Sequence, residues 1–385
     1  MKAEDIRIPA ALQLAIDDVG WMDGRIPYWD NWSPNRTGMP RRHVLEDYIV
    51  MNEVGRSIGM KINILFVLGE WDRHNILRKV PYASKYGEAW DSAPFLDARE
   101  AEKIRDYLNS CDYLEIGIHG LLHEAWDEKG NCLGGEFTVP ADFQPGGPLV
   151  PVPEWYLRQH LDAFFEIYHD WGFTQKIRSY TSPGHCKGAY QTDYYARTLK
   201  EYGVRYCHDG DTDPICLVKD DIISIRRSVD LAPWEAYDIN PAKLAVYEPE
   251  QAGIISAHWP NLLRYDPDEN MERLDAWKAF FERQASVFGL ILSKDIGFAE
   301  HQLLYHHFAE WKEEQGKIKI DLTKVDVMAP AGLRQPLYVS VRDQVGPIRC
   351  EGGILSVYEK QKSFCTYKIE RTEASVILLE TFSGR

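Results

Sequence analysis

Apolar runs that stop at polar residues recur along the first two thirds of the chain. Residues 11–16 form an apolar run that ends at Asp17 and Asp18, and this pattern predicts a buried strand. Comparable strands are predicted over residues 61–68, 113–118, 176–181, 204–207 and 253–257. Amphipathic patterns between and after them predict helices over residues 41–58, 97–109, 153–171, 192–202, 269–288 and 298–314. Alternation of strands and helices indicates parallel strands, so we predict an α/β fold that closes into a barrel.

Three further segments depart from this alternation. Residues 70–95 are long, aromatic and irregular, and residues 124–152 are rich in Gly and Pro without periodicity. Both are predicted to be functional loop insertions. From about residue 317 short alternating segments predict a small antiparallel β domain. The predicted organisation is therefore a barrel domain over residues 1–315 and a β domain over residues 316–385.

Composition narrows the class of protein. The chain has 385 residues and a formal net charge of −15, which argues against a nucleic-acid partner. Its seven cysteines are scattered without a CxxC pair, so neither a disulfide framework nor a zinc knuckle is expected. No signal-peptide pattern begins the sequence, and no apolar run reaches the roughly 18 residues of a membrane span. We expect a cytoplasmic protein without a membrane span, and a homo-oligomer is compatible with the sequence.

The residues at the predicted strand ends are of metal-ligating types. His119 and His123 follow an apolar strand and are four residues apart, a spacing that places two imidazoles on one face of a helical turn. Asp18 is the natural third ligand, and two His with one Asp leave positions open for water and substrate. The same spacing also occurs in pairs of core or surface histidines.

Two other strand ends supply acid and base groups. Asp17 precedes Asp18, so one carboxylate can bind metal while the other remains a base, although such a pair also occurs in solvated turns. His258 ends the strand over residues 253–257 and suits a general acid, or else a core histidine.

In this order, the residues resemble the motifs of the polysaccharide deacetylase (NodB-homology) family of carbohydrate esterases. The first motif is Asp17-Asp18 before Gly20, and the second is His119-Gly120-Leu121-Leu122-His123. The third is the turn Ser182-Pro183-Gly184, and the fifth is the strand that ends in His258. The resemblance covers about residues 8–262. The family usually has Ser or Thr where this chain has Gly120, and it usually has an Arg just before the third-motif Pro, where the nearest Arg here is Arg178. The chain is thus similar to a divergent member.

The resemblance implies both the fold and the roles of the residues. The fold would be a distorted (β/α) barrel of the NodB-homology type. Asp18, His119 and His123 would hold a divalent ion, Asp17 would activate a water bound to it, and His258 would protonate the leaving amine. The substrate-binding residues implied are Ser182, Pro183, Gly184, Trp259 and Arg178. Zinc is the first candidate for the ion, and cobalt, nickel, iron and manganese also suit this ligand set.

The activity expected from the resemblance is removal of an N-acetyl or similar acyl group from an amino sugar or saccharide precursor, in surface polysaccharide synthesis. A small non-sugar or cyclic amide is an alternative substrate. A glycosidase is another alternative, and it would need a carboxylic acid about 5–10 Å from Asp17, for which Asp209 and Asp211 are available. A non-catalytic carbohydrate-binding protein is the third.

Overall fold

A computed structural model of the chain describes residues 1–25, 37–184, 188–210, 215–329, 335–345 and 348–381. Asp211 lies outside the described residues. The strands are β1 (Ile6–Arg7), β2 (Ala10–Val19), β3 (Ile62–Val67), β4 (Leu114–Gly120), β5 (Glu124–Trp126), β6 (Cys132–Gly135), β7 (Thr138–Pro140), β8 (Leu149–Pro151), β9 (Ser179–Tyr180), β10 (Tyr206–Asp209), β11 (Cys216–Lys219), β12 (Ile222–Arg226), β13 (Val229–Asp230), β14 (Ile254–His258), β15 (Leu290–Leu292), β16 (Glu310–Glu314), β17 (Lys317–Asp321), β18 (Leu337–Arg342), β19 (Ile348–Glu351), β20 (Gly353–Lys360), β21 (Phe364–Arg371) and β22 (Val376–Thr381). The α-helices are α1 (Leu45–Ile58), α2 (Ala98–Ser110), α3 (Glu154–Asp170), α4 (Tyr195–Glu201), α5 (Leu274–Ala285), α6 (Ile296–Phe308) and α7 (Thr323–Met328).

A mixed sheet of ten strands forms the centre of the molecule. Nine strands run in the order β11-β12-β10-β9-β4-β3-β2-β14-β13, and β15 pairs with the first residues of β2. Every pair in this order is parallel except β11 with β12. Strand β2 is buried at all its positions, as expected for a near-continuous apolar run covered on both faces.

The predicted fold class, a (β/α) barrel of the NodB-homology type, is wrong. A barrel requires its first and last strands to pair, but β11 and β13 are the edges of an open sheet and do not pair among the described strands. The physical reason lies after α4, where the strand–helix alternation is interrupted before it resumes with α5. In the described part of the chain, strands β10 to β14 follow one another without an intervening α-helix, and β11 folds back antiparallel on β12. The curled sheet therefore stops at a hairpin.

The segment over residues 124–152 is not structureless. It contains β5 to β8, which form an antiparallel sheet of their own. Each of these strands has only three or four residues, which is too short to produce a legible alternation of apolar and polar positions. This small sheet stands directly after the second motif.

The C-terminal region forms two antiparallel sheets. Their orders are β1-β18-β21-β20 and β16-β17-β22-β19, so the N-terminal strand β1 belongs to the first of them. Gln302 of α6 joins this region to the central sheet, because its side chain hydrogen-bonds the backbone of both Pro9 and Tyr338. The domain division at residue 315 stays a prediction.

Candidate metal centre and active site

The carboxyl ends of the parallel strands meet around one cavity. His258 pairs in register with Asp17, and β4 brings His119 to the same edge of the sheet. The cavity has a volume of about 840 Å³. Its lining includes Asp17, Asp18, His119, His123, Glu124, Thr181, Ser182, Gly184, Arg227, Asp230, Trp234, Ser256 and His258. Parallel sheets commonly bind ligands at this edge.

Asp18, His119 and His123 converge as the sequence predicted. Asp18 Oδ1 lies 3.6 Å from His119 Nε2 and 3.5 Å from His123 Nε2, and one ligand atom from each of the three falls within 4.8 Å of the others. The convergence does not use a helical turn, because His119 is the second-last residue of β4 and His123 lies in the bend that follows. The tight bend after β4 brings the two imidazoles together, as a helical turn would at the same four-residue spacing.

The donor set fits a divalent ion. Asp18 Oδ1 is buried and has no hydrogen-bond partner among the described residues, although a buried carboxylate oxygen normally has one. Two imidazoles and one carboxylate are ligands that zinc and related ions accept. Asp18 and His123 also have left-handed backbones, with φ of 60° and 70°, an uncommon conformation that recurs at functional sites.

The second nitrogen of each imidazole is held by the protein. His119 Nδ1 lies 2.9 Å from the carbonyl oxygen of Thr181, and His123 Nδ1 contacts the carboxylate of Glu124. If each Nδ1–H donates to its oxygen, each Nε2 lone pair faces Asp18. Such partners fix the ring orientation and tautomer of histidines that ligate metals.

The pKa shifts of Asp18 and His123 favour the ligating forms of these groups, whereas the shift of His119 favours its protonated form. Burial alone raises the pKa of Asp18, but His123 and His119 lower it below its ordinary value, so this carboxyl is ionised at neutral pH. Burial and the charge on His119 lower the pKa of His123 to about 4, which leaves its imidazole neutral. For His119 burial lowers the pKa, while Asp17 and Asp18 together raise it above its ordinary value.

Asp17 is bound by an arginine that sequence analysis missed. Arg227 Nη1 donates to Asp17 Oδ2 at 2.5 Å and Arg227 Nη2 donates to Asp17 Oδ1 at 2.7 Å. The guanidinium also donates to Ser256 Oγ and Thr181 Oγ1. Burial alone would raise the pKa of Asp17, but Arg227 lowers it well below its ordinary value. The signal that could have revealed Arg227 is its position directly after the short apolar run of β12.

The other predicted site residues divide into two groups. His258, Ser182 and Gly184 line the cavity, whereas Pro183 and Trp259 do not. Trp259 is fully buried and stacks on His43 with ring centroids 4.4 Å apart, so it is a core residue.

Arg178 also lies away from the cavity. It precedes β9 and pairs with Glu115 at 3.1 Å and with Asp295 at 3.6 Å, near the start of the strands rather than at their carboxyl ends. Arg227, not Arg178, is therefore the arginine that holds Asp17. Asp209 is buried and does not line the cavity either.

Comparison with known proteins assigns no family. No family model and no curated protein matches the sequence. Among solved structures, endo-glycoceramidase II from Rhodococcus sp. with a cellobiose-like isofagomine is similar over 97% of this chain and 100% of its own, with 10% identity and a TM-score of 0.26. The lactosyl-enzyme intermediate of the same protein gives 10% identity and a TM-score of 0.27 over the same shares of the two chains. No helix in the described part of the chain is long and apolar enough to cross a membrane.

Proposed function

We propose that this chain is a metal-dependent hydrolase that removes an acetyl or similar acyl group from the nitrogen of an amino sugar or saccharide precursor. The observation that carries the proposal is the convergence of His119 and His123 on Oδ1 of Asp18. This oxygen is buried and has no hydrogen-bond partner in the described structure. The motif order that resembles polysaccharide deacetylases adds support.

These three side chains would hold the ion, and their orientations already suit ligation. Asp18 supplies the negative charge, and the two imidazoles present Nε2 toward it because their Nδ1 atoms are engaged elsewhere. A bound divalent ion would supply Lewis acidity, polarising the acyl carbonyl and lowering the pKa of a nearby water.

Asp17 is suited to orient the attacking water and to accept a proton from it. Its carboxylate is ionised at neutral pH and fixed by two hydrogen bonds from Arg227, and each oxygen retains a second lone pair. Arg227 therefore orients Asp17 and balances its buried charge. The arrangement is that of a general base with a positioning partner.

His258 faces the same cavity and is suited to give a proton to the leaving nitrogen. In the overall reaction the water oxygen bonds to the acyl carbon, the C–N bond breaks, and the nitrogen takes up a proton. The products are a carboxylate and an amine, and the second proton of the water is released or taken up by the amine. The backbone N–H of Gly184, which lines the cavity, would stabilise the oxyanion of the tetrahedral intermediate.

The cavity supports a substrate of saccharide size. Its volume of about 840 Å³ falls within the range of small-molecule sites. Trp234 offers an aromatic surface in the lining, while Ser228, Asp230 and Ser256 offer polar groups that suit hydroxyls.

The test combines metal content with hydrolysis. Elemental analysis of the purified wild-type chain should find about one divalent ion per chain, and His119→Ala should abolish it. Release of acetate from N-acetylated sugars should require that ion. Asp17→Asn should keep the ion but lose activity, because the ligands remain while the base is neutralised. Absence of metal in the wild type, even after incubation with zinc, cobalt and nickel, would overturn the proposal.

A glycosidase is the second candidate, because Asp17 and Glu124 line the same cavity and paired carboxyl groups are the usual glycosidase machinery. A glycosidase would release a reducing sugar, and this activity should persist in the presence of EDTA and in the Asp18→Asn variant. The hydrolase proposed above predicts that both treatments abolish turnover.

A further inference from the structure

We propose that Glu136 is a positioning residue of the metal centre, which holds the bend that carries His123 and so sets where His123 meets Asp18 and His119. The inference rests on the proposed metal centre. Glu136 is fully buried and does not line the cavity, so its carboxylate acts through other residues.

The carboxylate of Glu136 accepts hydrogen bonds from the backbone N–H groups along the bend. Its Oε2 accepts hydrogen bonds from the N–H groups of Leu121 at 2.7 Å, Leu122 at 3.2 Å and His123 at 3.2 Å. The backbone N–H of Glu136 donates in turn to the carbonyl oxygen of His123 at 2.8 Å. Both backbone polar groups of His123 are thus fixed by one residue.

The other oxygen of Glu136 is tied to a helix. Its Oε1 lies 2.8 Å from Nδ1 of His160, which belongs to α3, and Nε2 of His160 lies 2.9 Å from the carbonyl oxygen of Pro81. His160 is buried as well. The bend that follows β4 is therefore anchored through Glu136 to α3 and to the loop that contains Pro81.

Gly120 makes room for this carboxylate. A Cβ at position 120 would lie 2.4 Å from Glu136 Oε2, and Gly120 has a left-handed backbone with φ of 105°. A side chain at this position would displace the carboxylate from the three N–H groups.

The left-handed backbone of His123 needs such support. With φ of 70°, His123 occupies a conformation that a histidine adopts only when its surroundings impose it. Without Glu136, the backbone N–H groups of Leu121, Leu122 and His123 lose this acceptor, and the bend is expected to relax toward an unstrained backbone. That relaxation would move Nε2 of His123 away from Asp18.

The test is a Co²⁺ titration of the full-length, metal-free chain. The visible absorption of the bound ion is measured during the titration, because it reports the geometry of the ligands. We expect Glu136→Ala to weaken Co²⁺ binding about 10–100-fold and to change the absorption bands. Glu136→Gln should bind Co²⁺ nearly as the wild type does. Its amide oxygen accepts the three N–H bonds, and its amide N–H donates to Nδ1 of His160.

Asp72→Ala is the matched control. Asp72 is also a fully buried carboxylate that accepts two backbone N–H bonds, from Ile76 and Leu77, and it does not line the cavity. Its loss should lower stability without weakening Co²⁺ binding.

The outcomes are distinguishable. A wild-type chain that binds no Co²⁺ overturns the metal centre itself. If the wild type binds, the Glu136 inference is overturned by a folded Glu136→Ala variant with wild-type affinity and bands, by Glu136→Gln being as weak as Glu136→Ala, or by Asp72→Ala being equally weak. If Glu136→Ala does not fold, Gly120→Ala replaces it, because the added methyl group should expel the carboxylate and weaken Co²⁺ binding in the same way.

Discussion

Replacing Arg227 by methionine should destabilise the chain strongly, even without metal. Methionine preserves much of the aliphatic length of the side chain but removes both hydrogen bonds to Asp17. The side chains of Arg227 and Asp17 are only 7% and 10% exposed, so water cannot replace the lost guanidinium. The variant leaves a buried carboxylate without its countercharge.

The magnitude follows from this burial. Removing one partner of a buried ion pair costs about 3–5 kcal/mol, because the remaining charge is uncompensated. The double variant Asp17→Asn/Arg227→Met removes both charges, so it should lose at least about 1 kcal/mol less than the sum of the two single variants. Urea denaturation in EDTA at pH 7 measures all four free energies of unfolding.

Arg178→Met is the control, because it makes the same change at the other arginine of interest. The Arg178 side chain is 37% exposed, so its ion pair with Glu115 is partly solvated and its loss should cost about 1 kcal/mol or less. Hydrolysis should fall in Arg227→Met and persist in Arg178→Met. Equal losses of stability in the two variants, or additive effects in the Asp17 cycle, would refute the reasoning.

Three further predictions concern metal, pH and packing. Zinc at 100 times its Kd should stabilise the wild type by about 2.7 kcal/mol in thermal denaturation and leave Asp18→Asn unchanged, and an equal shift in that variant would place the ion elsewhere. Burial raises the pKa of Glu115 from 4.5 to about 7, so the folded state holds its proton longer than the unfolded state does. The contribution of Glu115 to stability should therefore be complete below pH 4.5 and fall by up to about 3 kcal/mol as pH rises through 7, a slope that Glu115→Gln should remove in urea denaturation at pH 5 and pH 8. Trp259→Ala should cost about 3–5 kcal/mol of unfolding free energy in EDTA, as expected for a buried Trp, and a loss below about 1 kcal/mol would contradict its place in the core.

Sequence analysis brought the proposed ligands together because Asp18 and His119 each lie near the end of a strand with a clear apolar pattern, and His123 lies in the bend that follows the second of these strands. The apolar run of β2 is followed by Asp17 and Asp18, and that of β4 is followed by His119. In a parallel sheet these ends share an edge, so the spatial convergence followed from two local patterns and one rule of topology. The same logic placed His258, the last residue of β14, at the cavity.

The closure of the sheet could not be predicted in this way. Whether a curled sheet becomes a barrel depends on pairing between edge strands, which local periodicity does not encode. Here the decisive feature is the hairpin of β11 and β12, whose strands have four and five residues. Such short segments carry too little pattern to be recognised, and Arg227 directly follows them.

The residues that support the site were missed for a related reason. Arg227 lies 210 positions from Asp17, and Thr181 lies 62 positions from His119. Their contacts arise from tertiary packing, so no spacing along the chain points to them. Glu136 is nearer, but it acts within a small sheet whose strands were too short to predict. The proposed ligands can thus be recognised from the local sequence at strand ends. Their orientation depends on residues that only the folded chain brings together. The proposed metal centre therefore depends on Arg227, Glu136 and Gly120 as well, and variants at these positions test it as directly as variants of the proposed ligands.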